Sequence, residues 1–427
     1  MAKSVEVIVG TYEHFLLGYK VGGSSEVFTN EEEYLTQSFS SRCHTGFIKC
    51  LAATGKYLAS GGTDDKVIVH DMKIRREIQI LMEHDGTVNS LCFTPDATHL
   101  LSGGDDGKLL AIRTNSWKTE AAWKKAHSGL PVTCISCHPS GKLALTLGND
   151  LTLRTWNLIK GRLAYTTSLK KNASLGKLAN GISWSPDGKF FTLIGARVVE
   201  IWRIEDAAVI REQICESKPN CVFWVSKTKL VVGMEDGKLM LISTKLNKEP
   251  TFHEVHKQRV KAIAYKNGVL ATASSSGDVT LWDLDFKQNK LEKICSINIG
   301  CRPTCIALID LSQFGDDYSL IKEDEPQEEV IVEKSSDSKI QTLHKGTVVI
   351  EYEDEDQEIE PVARKKRKLS KNKEDSKIGE KRSSSESWAK TPLPVIATQN
   401  ETKRVDKKNK KKKHRNESGG SRNKEKA

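Results

Sequence analysis

A chain of 427 residues can hold two or three average domains. Only 37% of its residues are hydrophobic, which is low for a single compact fold, and 29% are charged. The N-terminal MAKSVEVIVGTYEH lacks the apolar segment of a secretion signal, and no run approaches the roughly 18 apolar residues that span a bilayer. We therefore expect a soluble intracellular protein with no membrane partner. Its ten cysteines show no disulfide-framework spacing and should stay reduced.

The chain opens with two strand-like segments, IVGTYEHFLLGYKV from Ile8, followed by a third, YLTQSFSS. A histidine before an apolar strand then recurs, in HTGFIKCLA, HDGTVNSLCF, HSGLPVTCISC and HKQRVKAIAY, which begin at His44, His84, His127 and His256. The first two gaps are 40 and 43 residues, and the last is three times 43. Two degenerate copies, ANGISWSPDGKFF and PNCVFWVSKTKLVV, fill that last gap.

Each copy continues into a Gly/Asp-rich turn and a second alternating segment, such as LASGGTDDKVIVHD, LALTLGNDLTLRTWN or LATASSSGDVTLWD. A period of about 40–45 residues with four short strands, running from a histidine to Trp-Asp, is typical of WD40 propeller blades. The period-2 alternation excludes helical repeats of similar length. The sequence thus predicts an all-β fold, a WD40 β-propeller.

Six copies are complete, and the chain ends supply the seventh. The N-terminal segment aligns with the second and third strands of a blade, with Glu13 at the Asp position and Tyr19 at the Trp position, and YLTQSFSS provides its fourth strand. The missing first strand is RPTCIAL, near Thr304. We therefore predict seven blades within residues 1–312, closed by pairing the two ends in one sheet that leaves no free edge.

Blade 3 indicates why these residue types recur. His127 is placed to bridge Thr146 and Asp150, and Trp156 completes a hydrogen-bonded tetrad that ties the loop before the blade to its interior. The interpretation is structural rather than catalytic. Other blades keep part of the set: His44, Ser60 and Asp64 in blade 1, with His70 at the Trp position, and His256, Thr272 and Trp282 in blade 6, with Ser276 at the Asp position.

Beyond residue 312 the composition changes abruptly. Residues 313–360 hold 4 Lys/Arg and 16 Asp/Glu, and residues 361–427 hold 23 Lys/Arg and 8 Asp/Glu. We predict an acidic disordered linker followed by a basic disordered tail. Two clusters, ARKKRKL and KKNKKKKHRN, predict nuclear and nucleolar localisation through importins, with nonspecific contact to rRNA phosphates. The residues assigned to these signals are Arg364, Lys365, Lys366, Arg367, Lys368, Lys410, Lys411, Lys412 and Lys413.

No catalytic, cofactor-binding or metal site is predicted. The chain has no phosphate-binding loop, nucleophile elbow, HExxH or kinase motif. The CxxCH pattern at Cys134, Cys137 and His138 matches a haem attachment motif, but it falls on the first strand of blade 3, where residues three apart point to opposite faces. A second CxxC pair at zinc-finger spacing is missing.

AHSGLPVTCISCHPSGKLALTLGNDLTLRTWNLIKGRLAY in blade 3 closely resembles the matching blade of the p21-activated protein kinase-interacting proteins, a WD40 family of animals with a fungal counterpart. GTYEHFLLGYKV, EVHKQRVKAIA with ASSSGDVTLWDL, and the lysine-rich C-terminus agree with that resemblance, which covers about residues 5–311. The departures, Ile112-Arg113 and Ile242-Ser243 in place of Trp-Asp, lie at scaffold positions.

This resemblance implies two activities. The first is a scaffold in large-ribosomal-subunit biogenesis in the nucleolus, which docks ribosome assembly proteins and gives the basic tail a task. The second is negative regulation of a p21-activated kinase by binding its regulatory region, either alongside the first or as the main task of a cytoplasmic or nuclear adaptor. A ubiquitin-ligase substrate receptor is a further alternative, supported by the fold alone.

Overall fold

A computed structural model of the chain describes residues 5–314, apart from 22–34, 171–174, 176–178, 246 and 286–288. These residues form seven sheets, each of four antiparallel strands. The predicted seven-bladed all-β propeller is confirmed. Beyond its first two residues the predicted acidic linker lies outside the described part of the chain, and so does the whole basic tail.

The chain begins in the sheet that closes the ring. Its strands are β1 (Val5–Thr11), β2 (Leu16–Val21) and β3 (Leu35–Ser41). Blade 1 contains β4 (Ile48–Thr54), β5 (Tyr57–Gly62), β6 (Val67–Asp71) and β7 (Arg76–Leu81). Blade 2 contains β8 (Val88–Phe93), β9 (His99–Gly104), β10 (Leu109–Arg113) and β11 (Lys118–Trp123). Blade 3 contains β12 (Val132–Cys137), β13 (Leu143–Gly148), β14 (Thr152–Asn157) and β15 (Arg162–Ser168).

The two most degenerate repeats still form complete blades. Blade 4 contains β16 (Gly181–Trp184), β17 (Phe190–Ile194), β18 (Val198–Arg203) and β19 (Ala208–Ile214). Blade 5 contains β20 (Pro219–Trp224), β21 (Lys229–Met234), β22 (Lys238–Ser243) and β23 (Thr251–Glu254). Blade 6 contains β24 (Val260–Lys266), β25 (Val269–Ser274), β26 (Asp278–Asp285) and β27 (Lys290–Asn298).

The last strand, β28 (Pro303–Asp310), returns to the sheet of β1. It pairs antiparallel with β1, with Ile8 opposite Ala307. This sheet, blade 7, therefore has its first strand from the C-terminal side of the repeats and its other three from the N-terminus. One turn of 3-10 helix, Leu311–Phe314, follows, and Phe314 packs among buried side chains of blades 7 and 1.

The apolar core lies between blades rather than within them. Each of the seven buried clusters of the described residues combines side chains from two neighbouring blades. The cluster of Val69, Val88 and Phe93, for example, joins blades 1 and 2. The first strand of each blade contacts the first strands of the next blades, so these strands form the innermost ring. Burial of apolar surface between each two neighbouring blades holds the ring closed.

Candidate interaction face at the channel mouth

The four residues predicted to act together in blade 3 form one chain of hydrogen bonds. Trp156 Nε1 donates to Thr146 Oγ1 at 2.8 Å, and Thr146 Oγ1 lies 2.7 Å from His127 Nε2. His127 Nδ1 lies 2.9 Å from Asp150 Oδ1. Because an ionised carboxylate only accepts, Nδ1 carries the imidazole proton and Nε2 accepts from the threonine hydroxyl.

The ionisation of this network suits a structural role. Burial lowers the pKa of His127, against the opposing effect of the Asp150 carboxylate. Burial alone would raise the pKa of Asp150, but hydrogen bonds from Thr152 and His127 outweigh it and lower that pKa. A Cβ atom on Gly148 would lie 2.3 Å from the His127 ring, which explains why a glycine ends β13. A neutral imidazole is thus held beside an ionised carboxylate in a closed corner.

Blade 1 forms the histidine and carboxylate part of the network. His44 Nδ1 lies 2.9 Å from Asp64 Oδ1, and Nε2 lies 2.9 Å from Ser60 Oγ. His70, at the Trp position, is 2% exposed, and neither of its ring nitrogens has a hydrogen-bond partner among the described residues. Burial, reinforced by the charge of His44, lowers the pKa of His70 to about 4. His70 therefore fills the space of the tryptophan without making its hydrogen bond.

Blade 6 forms the opposite half. His256 Nε2 lies 2.8 Å from Thr272 Oγ1, to which Trp282 Nε1 donates at 2.9 Å. Ser276, at the Asp position, donates its hydroxyl to Asp278 Oδ2 at 2.6 Å. Without the carboxylate at its Nδ1, His256 has its pKa lowered by burial to about 4.

Blade 2 contains a network that the sequence interpretation did not identify. His84 Nε2 lies 2.9 Å from Ser102 Oγ, and Nδ1 lies 3.0 Å from Asp106 Oδ2. Ile112 occupies the Trp position, so the network lacks its tryptophan. The hydroxyl and the acidic residue are four positions apart, as Ser60 and Asp64 are, and that spacing was the available signal.

The closing sheet uses the two chain ends in the same way. Glu13 accepts from the backbone N–H of Arg302 at 2.8 Å and from its Nε at 3.1 Å. Tyr19 is buried on β2, 5% exposed. The carboxylate at the Asp position thus anchors the loop before β28, as Asp64 anchors the Thr45 N–H in blade 1 at 2.9 Å.

A ring of polar side chains surrounds one end of the central channel, and the register of the innermost strands explains it. In six blades the innermost strand carries a β-bulge near its beginning, so that one residue has no partner in the ladder. Bulges commonly redirect a side chain toward a functional site. The bulged residues, with Asn180 just before β16, are Lys49, Asn89, Thr133, Asn180, Asn220, Lys261 and Thr304.

These seven residues line a cavity of about 830 Å³, which we call the channel mouth. Two asparagines of the ring tie neighbouring blades together. Asn89 Nδ2 donates to Val132 O at 3.0 Å in the next blade, and Asn220 Nδ2 donates to Val260 O at 3.3 Å. These hydrogen bonds connect the rim of the mouth to the first strands of the neighbouring blades.

The charge of the channel mouth is predominantly positive. Its lining contains Lys49, Lys218, Arg259, Lys261 and Arg302, against one carboxylate, that of Glu235. Burial, with the nearby Arg259 and Lys49, lowers the pKa of the half-buried Lys261. The lysines therefore lie close enough to repel one another, and an anion in the mouth would be attracted to them.

An aromatic stack forms one side of the mouth. The ring of Tyr12, 46% exposed, stacks on Phe47 with centroids 4.9 Å apart. The guanidinium carbon of Arg302 lies 4.2 Å from the centroid of Tyr12. The mouth thus combines cations, amides, hydroxyls and an accessible aromatic wall, and of its residue types tyrosine, phenylalanine and arginine are enriched in protein interfaces.

The three residues of the CxxCH pattern each bond a protein group and do not converge on one site. Cys134 Sγ lies 3.3 Å from Asn180 O, Cys137 N donates to Cys92 Sγ at 3.3 Å, and His138 Nε2 lies 3.0 Å from Gly188 O. Burial raises the pKa of Cys134 to about 11. The nine basic residues assigned to localisation signals lie outside the described residues.

Residues 5–314, apart from the gaps given above, contain no cluster of three His, Cys, Asp or Glu side chains positioned to hold a metal ion. In the same residues no helix has the length and apolar character needed to cross a membrane.

The ring of four-stranded sheets and its histidine networks define a WD40 β-propeller protein. The family model "WD domain, G-beta repeat" matches residues 35–71, 75–110 and 120–157. Each match begins on the outer strand of one blade or just before it, and ends in or just after the third strand of the next.

The chain is similar to proteins named for kinase binding. It is 33% identical over 313 residues to "p21-activated protein kinase-interacting protein 1-like" of Danio rerio, covering 72% of this chain and 81% of that protein. The Xenopus laevis protein of the same name is 31% identical, covering 72% and 82%. "Shk1 kinase-binding protein 15" of Schizosaccharomyces pombe is 29% identical, covering 65% and 77%. The chain belongs to the family of p21-activated protein kinase-interacting proteins.

Proposed function

We propose that this protein is a non-enzymatic scaffold in the assembly of the large ribosomal subunit, acting in the nucleus and nucleolus. The observation that carries the proposal is a rigid propeller with a polar, positively charged mouth, in a chain whose last 67 residues carry a net charge of +15. Such a propeller docks ribosome assembly proteins. Such a tail binds importins and contacts rRNA phosphates without reading bases.

Purification of the full chain from nuclear extract, with and without RNase, tests the scaffold. We expect large-subunit assembly proteins to co-purify in both cases, because the propeller binds proteins directly, while RNase removes only the contacts made through RNA. Failure to recover those proteins in either sample would contradict the proposal, and their complete loss with RNase would assign the association to RNA alone.

A second function is supported by the names of the relatives, which refer to binding a p21-activated kinase or Shk1 kinase. We propose that the propeller also binds the regulatory region of such a kinase and restrains its activation. A purified regulatory segment should bind the full chain, and adding the chain should slow activation of the intact kinase. If the regulatory segment binds but activation of the kinase is unchanged, the chain is an adaptor for the kinase and not its inhibitor.

A further inference from the structure

We propose that the channel mouth binds an extended acidic segment of a partner protein, and that this segment carries an aromatic residue next to its carboxylates. Lys49, Lys218 and Lys261 hold the carboxylates, and the Tyr12–Phe47 stack receives the aromatic side chain. The inference rests on the proposed function as a protein scaffold and names the chemistry of what it binds.

The lysines of the mouth differ from its arginines in how their charge is compensated. Arg259 Nη1 lies 3.3 Å from Glu235 Oε1, and Arg302 Nε lies 3.1 Å from Glu13 Oε1. Among the residues that the structure describes, no carboxylate lies within 4.0 Å of Lys49, Lys218 or Lys261. Three cations at one narrow opening thus keep their charge available for an anionic ligand.

The position of the cations favours carboxylates on a peptide over a nucleic-acid strand. A strand of phosphates needs a positive track along its whole length. Here the carboxylate of Glu235 lines the mouth and that of Asp105 lines an adjoining cavity that shares Lys49 and Lys218, and both would repel a continuous run of phosphates. A peptide can space its carboxylates to avoid them. Its backbone can also exchange hydrogen bonds with the amides and hydroxyls of the ring.

Size and surface character agree with this ligand. A cavity of about 830 Å³ is within the range that accepts a few side chains rather than a folded domain. Tyr12 is nearly half exposed although two groups stack on it, so an apolar ring from a partner can still pack against it. Aromatic anchors set beside charged groups supply much of the affinity in protein interfaces.

The test is fluorescence anisotropy with the full chain and a labelled peptide of repeating Gly-Glu-Phe-Glu, compared with the same peptide carrying Gln for Glu. We expect the acidic peptide to bind and the Gln peptide to bind at least about tenfold more weakly. Lys49→Gln and Lys261→Gln should each weaken binding by about tenfold, the size of one close charge pair lost at an interface. Tyr12→Ala should weaken it several-fold, but only when the peptide contains Phe.

The matched control is Lys124→Gln, which changes an exposed lysine just after β11 and should leave binding unchanged. All variants retain the basic tail, so any nonspecific attraction of the peptide to it is common to all of them. Wild-type melting temperatures for the mouth variants establish that they fold. Equal binding by the mouth variants and by Lys124→Gln would overturn the proposal.

RNA is the alternative occupant. If an oligouridine displaces the acidic peptide, and its own binding is lost in Lys49→Gln and Lys261→Gln to the same degree, the mouth is a nucleic-acid site and the proposal is wrong. The scaffold function is tested separately, by co-purification of large-subunit assembly proteins with the wild-type chain. Recovery without peptide binding removes only the present inference.

Discussion

In blade 3, Thr146 Oγ1 joins Trp156 Nε1 to His127 Nε2, and His127 Nδ1 lies beside Asp150, so the loss of one side chain removes a hydrogen-bond partner from a buried neighbour. Both His127 and Thr146 are fully buried, so a polar group that loses its partner there is shielded from bulk solvent. We therefore expect these residues to contribute to stability and not to recognition.

We expect His127→Ala and Asp150→Ala to reduce the free energy of unfolding by roughly 1–3 kcal/mol each, the cost of an unpaired buried polar group. Urea unfolding of the purified chain measures the change. Asp150→Asn keeps an acceptor for His127 and should cost less, and Lys124→Ala, at an exposed position, should cost almost nothing. A variant with wild-type stability that no longer binds a partner would show the residue to be functional.

Two buried histidines give the propeller a dependence on pH. His70 and His256 both have their pKa lowered to about 4 by burial, against about 6.5 in an unfolded chain. Between these values the unfolded state binds more protons than the folded state. Stability is therefore full above pH 6.5 and is lost as the pH falls toward 4.

The contribution of His70 can be isolated because its ring nitrogens make no hydrogen bond with a described residue. His70→Leu should remove about 2 kcal/mol of the stability lost between pH 7.5 and pH 5, the linkage expected for a shift from about 6.5 to about 4. Urea unfolding at the two pH values measures it in both proteins. An equal loss in wild type and variant would mean that His70 has nearly the same pKa in the folded and unfolded states.

Among the blades, blade 7 closes the ring, because its sheet joins strands from both sides of the repeats. β1 lies between β2 and β28, and Val7, Ile8 and Val9 of β1 are completely buried. Removing β1 would expose one edge of β28 and open the apolar clusters that blade 7 shares with blades 6 and 1.

Deletion of residues 1–20 should therefore unfold the whole propeller rather than shorten it. Limited proteolysis should leave no stable core of blades 1–6, and the unfolding transition should be absent. Deletion of residues 1–4, which precede β1, is the control and should change little. Survival of a protease-resistant fragment of blades 1–6 after the longer deletion would show that the ring does not depend on closure.

The sequence predicts the blades better than it predicts the mouth, for a physical reason. Each tetrad must supply hydrogen-bond partners to the same kind of buried corner, so the same residue types recur at the same spacing. Asp64 and Asp150, for example, each lie beside the Nδ1 of a histidine. The mouth residues face a shared space and have no such requirement: their identities change from Lys49 to Asn89 to Thr133. Their position also depends on a one-residue bulge, which is a property of strand pairing and leaves no mark in a single strand's alternation.

At the scale of the whole molecule, we expect the basic tail to control location independently of the propeller. Arg364–Lys368 is a run of five cations of the kind that importins bind, and residues 407–416 add six lysines for phosphate contact. A reporter fused to residues 361–427 should enter the nucleus and concentrate in nucleoli. The chain without those residues should remain folded and mostly cytoplasmic.

The control for this experiment is the same fusion with all five cations of Arg364–Lys368 changed to Gln, which should lose most nuclear entry. RNA binding by the fusion should weaken steeply with rising salt, because each phosphate contact releases counterions. Normal nucleolar accumulation of the chain without its tail would mean that partner binding by the propeller is sufficient for targeting.

The pairing of β1 with β28 also has a consequence during synthesis. β1 leaves the ribosome before its partner strand β28, which follows about 300 residues later in the chain. At a synthesis rate of roughly 5–20 residues per second, about 15–60 s pass between the synthesis of Val5–Thr11 and that of its partner strand. Throughout this time a short apolar strand, VEVIVGT, has an unpaired edge that can join another chain. Until residue 310 emerges, this edge is a site where the nascent chain can pair wrongly, and we expect it to be a place where a chaperone at the ribosome can bind.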